Sequence, residues 1–413
     1  MSKNNQHVWI IEPRDPVIVR DGRPFDNTPG ARARTLPFPY PSTLAGMVRT
    51  RAGTENGKFT ATTADVFQIS VRGPLLVQLA DNGSDVEKHL VPAPADALLL
   101  NLEKEDGTQS KEVKVLQLVP LEVTEGLHTA MPDGLLPVGP REVNPAKPSK
   151  RAPRFWYWEK FEQWLREPEQ ITQLDPFGLG LAGLKQNSRM HVVMDPEKEQ
   201  RKGRDGGLFQ TIGLEFTHAT QHATALSSAH RLALLITVAG HDLATKIGAG
   251  FDTLGGERRT VVWRNSSTGL PECPPDLVTQ IQQHKSCRII LLTPAIFTQG
   301  YRPEWLCTPQ PDVTPTLRAV CCTGYEVISG WDYYKRAPKP TRRMLPAGSV
   351  LYLCLDGSED AIAAWVQAMW MQNISDAEQD RRDGFGLAAI GVWDGKAVCS
   401  DWGMQNQEGA SNA

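Results

Sequence analysis

Proline and glycine interrupt this sequence too often for a mainly helical protein. Its 31 prolines and 35 glycines cut the chain into short apolar runs, a pattern that suits many short strands joined by turns and long loops. With 413 residues the chain exceeds one comfortable core, so two domains are the starting expectation. Forty per cent hydrophobic and 22% charged residues describe an ordinary globular chain rather than a disordered one. No apolar run approaches the roughly 18 residues that a membrane-spanning helix needs. Met1 to His7 is polar and has no apolar signal core, so a cytoplasmic protein is expected. The seven cysteines (Cys273, Cys287, Cys307, Cys321, Cys322, Cys354 and Cys399) are odd in number and none has C-x-x-C spacing. They read as reduced, small core residues, and neither a zinc site nor another metal or cofactor is expected.

The opening fifty residues carry the strongest local signal. An apolar strand, Val8 to Glu12, runs into a loop broken by glycine and proline, and then into a helix that starts near Pro41-Ser42-Thr43. Between Arg14 and Arg51 stand seven arginines (Arg14, Arg20, Arg23, Arg32, Arg34, Arg49 and Arg51) against three aspartates (Asp15, Asp21 and Asp26). The chain as a whole carries a net charge of -3. Guanidinium forks on a loop suit phosphate binding; the plain alternative is a solvated charged loop. Mild net acidity argues against unspecific coating of DNA, though not against a groove of local positive charge.

Further strands are expected at 67–79, around 89–92, at 190–194, 208–216 and 232–238, and again at 288–292, 319–322, 350–355 and 387–393. A short helix is expected near 242–248. Another is expected at 361–371, with Ile362, Trp365, Val366 and Met369 on one face and Ser358 as its cap. From about 100 to 205 the pattern is irregular and too long for a simple connection. Arg141 to Arg166 holds seven bases and three acids beside Phe155, Trp156, Tyr157 and Trp158. That mixture suits stacked bases and paired phosphates, or equally a partner-protein surface. The polar stretch 265–285 is the best boundary. The expected fold is therefore α+β: two tandem ferredoxin-like domains, 1–270 and 284–413, with a large insertion at about 100–205 in the first.

Two glycine loops stand at matching points of the halves, Gly255-Gly256 followed by Arg258 and Arg259, and Gly384-Phe385-Gly386 preceded by Arg381-Arg382. Glycine there leaves N–H groups open to a phosphate or lets another chain approach closely; two tight turns before edge strands are the alternative. Gly178 to Gly183 matches G-x-G-x-x-G by letter, but the proline-broken Asp175-Pro176 stands where a strand belongs, so it reads as a turn or close-approach loop. His218 and His222 lie four apart without a third ligand or paired acid, and His89, His128 and His191 are isolated. No convincing catalytic centre emerges.

Taken in order, Ile11-Glu12-Pro13, Arg20-Asp21-Gly22-Arg23-Pro24-Phe25, Pro41 to Gly46, Leu254-Gly255-Gly256-Glu257 and Gly384 to Gly391 resemble a known family. They are similar to the RAMP subunit of the type III-B CRISPR–Cas effector, the Cmr complex, that holds the 5′ handle of the guide RNA. His191-Val192-Val193 and Gly206 to Phe209 fit the same pattern. Arg258 departs from it, standing where the family more often has glycine. The resemblance implies two facing ferredoxin-like, RRM-type domains. It implies binding of the crRNA 5′ handle, docking against the large polymerase-like subunit and the Cmr backbone RAMP subunit, contact with target RNA only through the assembled complex, and no nuclease activity.

On this reading the RNA-binding residues are Arg20, Arg23, Phe25, Arg32, Arg34, Ser42, Arg49, Gly255, Gly256, Arg258, Arg259, Gly384, Phe385 and Gly386. Ser42 either binds RNA or caps its helix. Two alternatives stand beside it. One is a metal-independent guide-processing endoribonuclease of the same superfamily, using His218 or His222. The other is a protein-interaction subunit without direct RNA contact.

Overall fold

The computed structural model describes residues 6–21, 35–81, 83, 85–103, 109–123, 130–132, 134–142, 144–194, 203–219, 229–307, 312–332 and 336–399. The fold is mixed α/β and rich in antiparallel sheet. Its opening strand, His7–Pro13, is covered on both faces, with Trp9, Ile10 and Ile11 all buried. It lies between Ala229–Ala239 and Arg259–Asn265, antiparallel to both. Ser70–Leu79 pairs with the far side of Ala229–Ala239. Taken in chain order, the four strands stand across the sheet as fourth, first, third, second. The sheet is extended by Val86–Pro92, Phe155–Tyr157 and Gly180–Leu181 at one end and by Gly250–Leu254 at the other. Helix Pro41–Ala52 closes one face. Pro41 pre-sets its first turn and Gly53 follows its last, and Leu44, Ala45 and Val48 pack on Trp9, Ile11, Val71 and Ile236.

The second half has the same strand order. Ser286–Leu291 lies between Val350–Gly357 and Leu387–Val392, and Val313–Cys321 lies outside Val350–Gly357. Helix Glu359–Met369 forms as its pattern predicts: the Ser358 hydroxyl accepts the Ala361 N–H, and Ile362 and Val366 are buried. Beside it packs helix Pro275–His284, within the stretch read as a boundary.

Between Ser70–Leu79 and Ala229–Ala239 the chain makes its longest excursion. Much of it is regular. Gln109–Glu122 is a 14-residue strand at the centre of a second sheet, paired with Ala97–Glu103, Val138–Pro140 and Gln173–Leu174. Lys185–Met194 and Gly203–Glu215 form a separate long hairpin. The close-approach reading of Gly178 to Gly183 fits Gly180, where a Cβ would lie 1.9 Å from the Phe155 carbonyl oxygen.

The aromatic run corrects a sequence expectation. Phe155 and Trp156 are buried, as are Phe161, Trp164 and Leu165 of helix Trp158–Arg166. Trp156 and the helix's three buried residues share a core with Ile289, Leu351, Tyr352 and Ile390 of the second half. Phe155 and Trp156 are thus packed inside the protein, with Tyr157 and Trp158 half-buried, so the run forms no open surface strip. At the centre of this shared core, Arg288 and Asp96 form an ion pair in which both side chains are fully buried. Arg288 also donates to the Trp164 and Val392 carbonyls at 2.7 and 2.9 Å, and Trp164 Nε1 donates to Asp96 at 2.9 Å. The excursion therefore acts as a wedge that joins the two halves. The six described cysteines are free, and burial pushes the Cys273 thiol up to about 11 and Cys321 to about 12.

Candidate nucleic-acid interface

Beyond His7–Pro13 the chain runs along the sheet edge with Val17, Ile18 and Val19 buried. Val17 exchanges backbone hydrogen bonds with Leu214, and Gly256 N donates to the Ile18 carbonyl at 2.7 Å. Gly255 to Arg258 form the turn between Gly250–Leu254 and Arg259–Asn265. Gly255 has φ +72°, and a Cβ there would lie 2.3 Å from the Ile18 carbonyl oxygen. Glycine is required at this point because two backbones touch.

Against this turn lies Arg20, whose Nη2 donates to Glu257 at 3.1 Å while both side chains stay well exposed. Arg258 is exposed and Arg259 half-buried. Asp15 accepts the Thr260 N–H at 3.1 Å; Thr260 first, then the charges of Arg259 and Arg189, holds its carboxyl below the ordinary value. Arg20 also bridges Thr35, and the Leu36 N–H donates to the Val19 carbonyl at 2.7 Å. Both ends of the segment carrying Arg23, Phe25, Arg32 and Arg34 are thereby fixed beside the turn. Those four residues lie outside the described residues.

The second glycine loop differs from expectation. All three of its N–H groups are taken inside the protein: Gly384 by the Arg381 carbonyl, Phe385 by Asp380 and Gly386 by Pro294. Phe385 is fully buried among Ile296, Ile328 and Met344. Gly384, at φ +98°, lets the loop touch the first half; a Cβ there would lie 2.7 Å from the Gly73 carbonyl oxygen and 3.1 Å from Pro41. Gly384, Phe385 and Gly386 thus line a joint between the halves rather than a groove with open donors.

Arg49 belongs to the same joint. Its side chain is 9% exposed, pairs with Asp383 at 2.7 Å, and donates to the Val66 and Ile69 carbonyls. A guanidinium so buried and so fully partnered is not placed for a phosphate, which corrects that assignment. Ser42 is not the helix cap either: the N-cap is Tyr40, without a side-chain cap bond, and Ser42 falls within the first turn.

A cavity of about 480 Å³ opens at this junction. Its wall includes Phe38, Tyr40, Arg154, Phe155, Pro294 and Glu326. Burial pushes the Glu326 carboxyl upward, opposed by a hydrogen bond from the Tyr40 hydroxyl and by the Arg154 charge. Burial and the nearby Glu326 carboxylate push the Tyr40 phenol up as well.

Sequence reasoning also missed a charged cluster on Glu12. This carboxylate is 3% exposed and receives Arg14, Arg231 and Arg264 at 3.4, 3.2 and 2.9 Å. Three partly exposed cations around one anion leave local positive charge. A carboxylate inside an otherwise apolar strand was the available signal.

Three of the histidines have contacts of their own. His218 faces His230 with ring centroids 6.4 Å apart, and burial, then the His230 charge, lowers its pKa. His89 contacts the Gly269 carbonyl, and His191 contacts Thr211. His222 and His128 lie outside the described residues. Among the described residues no cluster of three or more metal-ligating side chains occurs, and no helix is long and apolar enough to cross a membrane.

Two solved chains are similar to this one. The first, from a cryo-EM structure of the Type III-B Cmr-beta bound to cognate target RNA, is 15% identical; the match covers 84% of this chain and 86% of that one, with a TM-score of 0.42. The second, from the Type III-B Cmr-beta bound to cognate target RNA and AMPPnP, state 1, is 13% identical over 88% of each chain, with a TM-score of 0.42. No curated protein matches the chain. The model of the CRISPR-associated protein family Cas_Cmr3 matches residues 9–393, nearly the whole length. This chain belongs to the Cas_Cmr3 family.

Proposed function

We propose that this chain is the non-catalytic RNA-binding subunit of a type III-B Cmr effector, holding the 5′ handle of the crRNA. In this reading it docks against the large polymerase-like subunit and the backbone RAMP subunit, and meets target RNA only within the assembled complex. Both halves are read as ferredoxin-like, on the strength of their shared strand order.

One observation carries the RNA-binding part. Arg258 stands on a turn whose backbone is held against Ile18, and Arg20 lies against that turn through Glu257. The ends of the arginine-rich segment 22–34 are tied to the same place. A rigid mount for several exposed guanidinium groups suits a run of phosphates.

The test uses a labelled guide RNA with its 5′ handle, a handle-scrambled control, and the chain with its neighbouring subunits, across a salt series. Handle-dependent, salt-sensitive retention without a cleavage product is expected. The double variant Arg20→Glu, Arg23→Glu should lose guide RNA yet remain folded. A full guide load in that variant would overturn the reading, and a discrete product without metal would reassign the chain as an endoribonuclease.

A further inference from the structure

We infer that the cavity between the halves takes one unstacked nucleobase of the guide RNA, a guanine whose Watson–Crick N–H donors meet the Glu326 carboxylate. The inference rests on the RNA-binding reading above and names what part of the RNA enters the protein.

Size comes first. A volume of about 480 Å³ falls in the range of small-ligand sites, about 300–1,000 Å³. Its wall is largely proline and aromatic, with Phe38 and Phe155 rings 5.2 Å apart and tilted by 54°. Such a wall favours a flat, weakly hydrated ring over a phosphate or a sugar.

The polar groups then select the ring. Glu326 and Tyr40 are partly buried and hydrogen-bonded to one another. A carboxylate has about four acceptor sites, and a single phenol hydroxyl fills one. Glu326 is half-buried, so its remaining acceptor sites can take further donors from a group that enters the cavity. Guanine presents two adjacent N–H donors, N1–H and the 2-amino group, which match two carboxylate oxygens side by side. Adenine and cytosine offer one amino group there, next to a ring nitrogen that repels the carboxylate. Arg154 is exposed at the wall, where its charge suits the phosphate of the same nucleotide.

Position links the cavity to the arginine turn. Thr35 pairs with Arg20, and Phe38, three residues further on, already lines the cavity. Three residues span at most about 11 Å. A strand held by Arg20 therefore passes close enough to place one base inside. Unstacked bases read on their Watson–Crick edges are a common mode of single-stranded RNA recognition.

The experiment uses the full chain assembled with its neighbouring subunits. Guide RNAs carry, one position at a time, an abasic residue, or inosine in place of each guanosine of the 5′ segment. Inosine lacks the 2-amino donor. One position is expected to lose about tenfold in affinity when abasic, the size of one base stack, and severalfold as inosine. Thr323→Trp, at an exposed wall position, should block the cavity while sparing the core. In that variant both losses should vanish, and in Glu326→Gln the inosine loss should vanish. Retained, handle-dependent binding with no sensitive position would overturn the base-binding cavity and leave the RNA-holding role intact. Losses that persist unchanged in both variants would overturn it too. If Thr323→Trp weakens only subunit assembly, the cavity takes a protein segment and the inference falls. If the wild-type assembly retains no guide at all, the inference falls together with the proposed function.

Discussion

The two halves share a strand order but use their matching glycine loops in opposite ways. In the first half the loop is an exposed turn bearing Glu257 and Arg258, pinned from beneath by the Ile18 carbonyl. In the second, Phe385 takes the place between the glycines and is fully buried, and Gly384 presses against Gly73 of the other half. Each loop is tied by a glycine N–H to the segment that follows its own half's central strand, Gly256 to Ile18 and Gly386 to Pro294. The same backbone device therefore serves a surface in one half and a joint in the other. What decides the use is the side chain beside the glycines: charge keeps one loop in water, and a phenyl ring draws the other into the core.

The largest expected effect lies in the joint. Replacing Arg288 by methionine takes the cation away from the fully buried Asp96 carboxyl and leaves it the Trp164 and Tyr352 donors. A loss of ~3–5 kcal/mol follows from breaking one side of a buried pair. Chemical unfolding checks it, and a loss under about 1 kcal/mol would mean that the excursion does not join the halves.

Next comes Gly384→Ala. It meets both a positive φ and the Gly73 carbonyl, so ~1–3 kcal/mol is expected. Gly256→Ala has ordinary backbone and a contact of 3.4 Å to a methyl group, and should stay within about 1 kcal/mol. Equal costs for the two variants would erase the contrast between joint and surface.

The arginines sharpen the same contrast with a different readout. Arg258→Glu should weaken guide binding and flatten the log-affinity against log-salt slope by about one unit, with the unfolding transition unmoved. Arg49→Gln should do the reverse: it removes the pair with Asp383 and two carbonyl contacts, lowering stability without changing the slope. If Arg49→Gln alters the salt slope, Arg49 reaches RNA after all and its burial is not its role.

These pairs also show what the sequence could and could not disclose. Strand positions were legible because apolar runs such as Leu232 to Val238 need no partner to be recognised. Helix Glu359–Met369 was legible through Ser358 and its apolar spacing. Arg20 and Arg49 looked alike, since a count of arginines carries no burial. Phe155 and Trp156 suggested stacking by composition, while Phe161, Trp164 and Leu165, which are spaced as a buried helix face, already pointed to packing. The link between Asp96 and Arg288 spans 192 positions and has no local signature at all. Arg23, Phe25, Arg32 and Arg34 stay where the sequence left them, as expectations for the guide-loading test.

The smallest expected effect separates the halves by pH. In each half a side chain near the end of the central strand holds the entry to the last strand. In the first it is Asp15, accepting the Thr260 N–H. In the second it is buried, neutral Thr293, whose hydroxyl donates to the Gly384 carbonyl at 2.7 Å and accepts the Leu387 N–H at 2.8 Å. Asp15 has its pKa lowered in the fold, first by Thr260 and then by Arg259 and Arg189. Its stabilising effect is therefore full above the ordinary value of 3.8 and is lost as pH falls through the lowered one. Because Asp15 is only half-buried, solvent screens the effect and it should be slight. The variant Asp15→Asn should melt slightly below wild type at neutral pH and converge with it in acid. Thr293→Val should instead melt lower by the same margin at every pH, since nothing in that pin titrates. Thermal melts from neutral to about pH 3 would decide. A pH-independent gap for Asp15→Asn would mean that its hydrogen bond, and not its charge, does the holding, and the two pins would then differ only in burial.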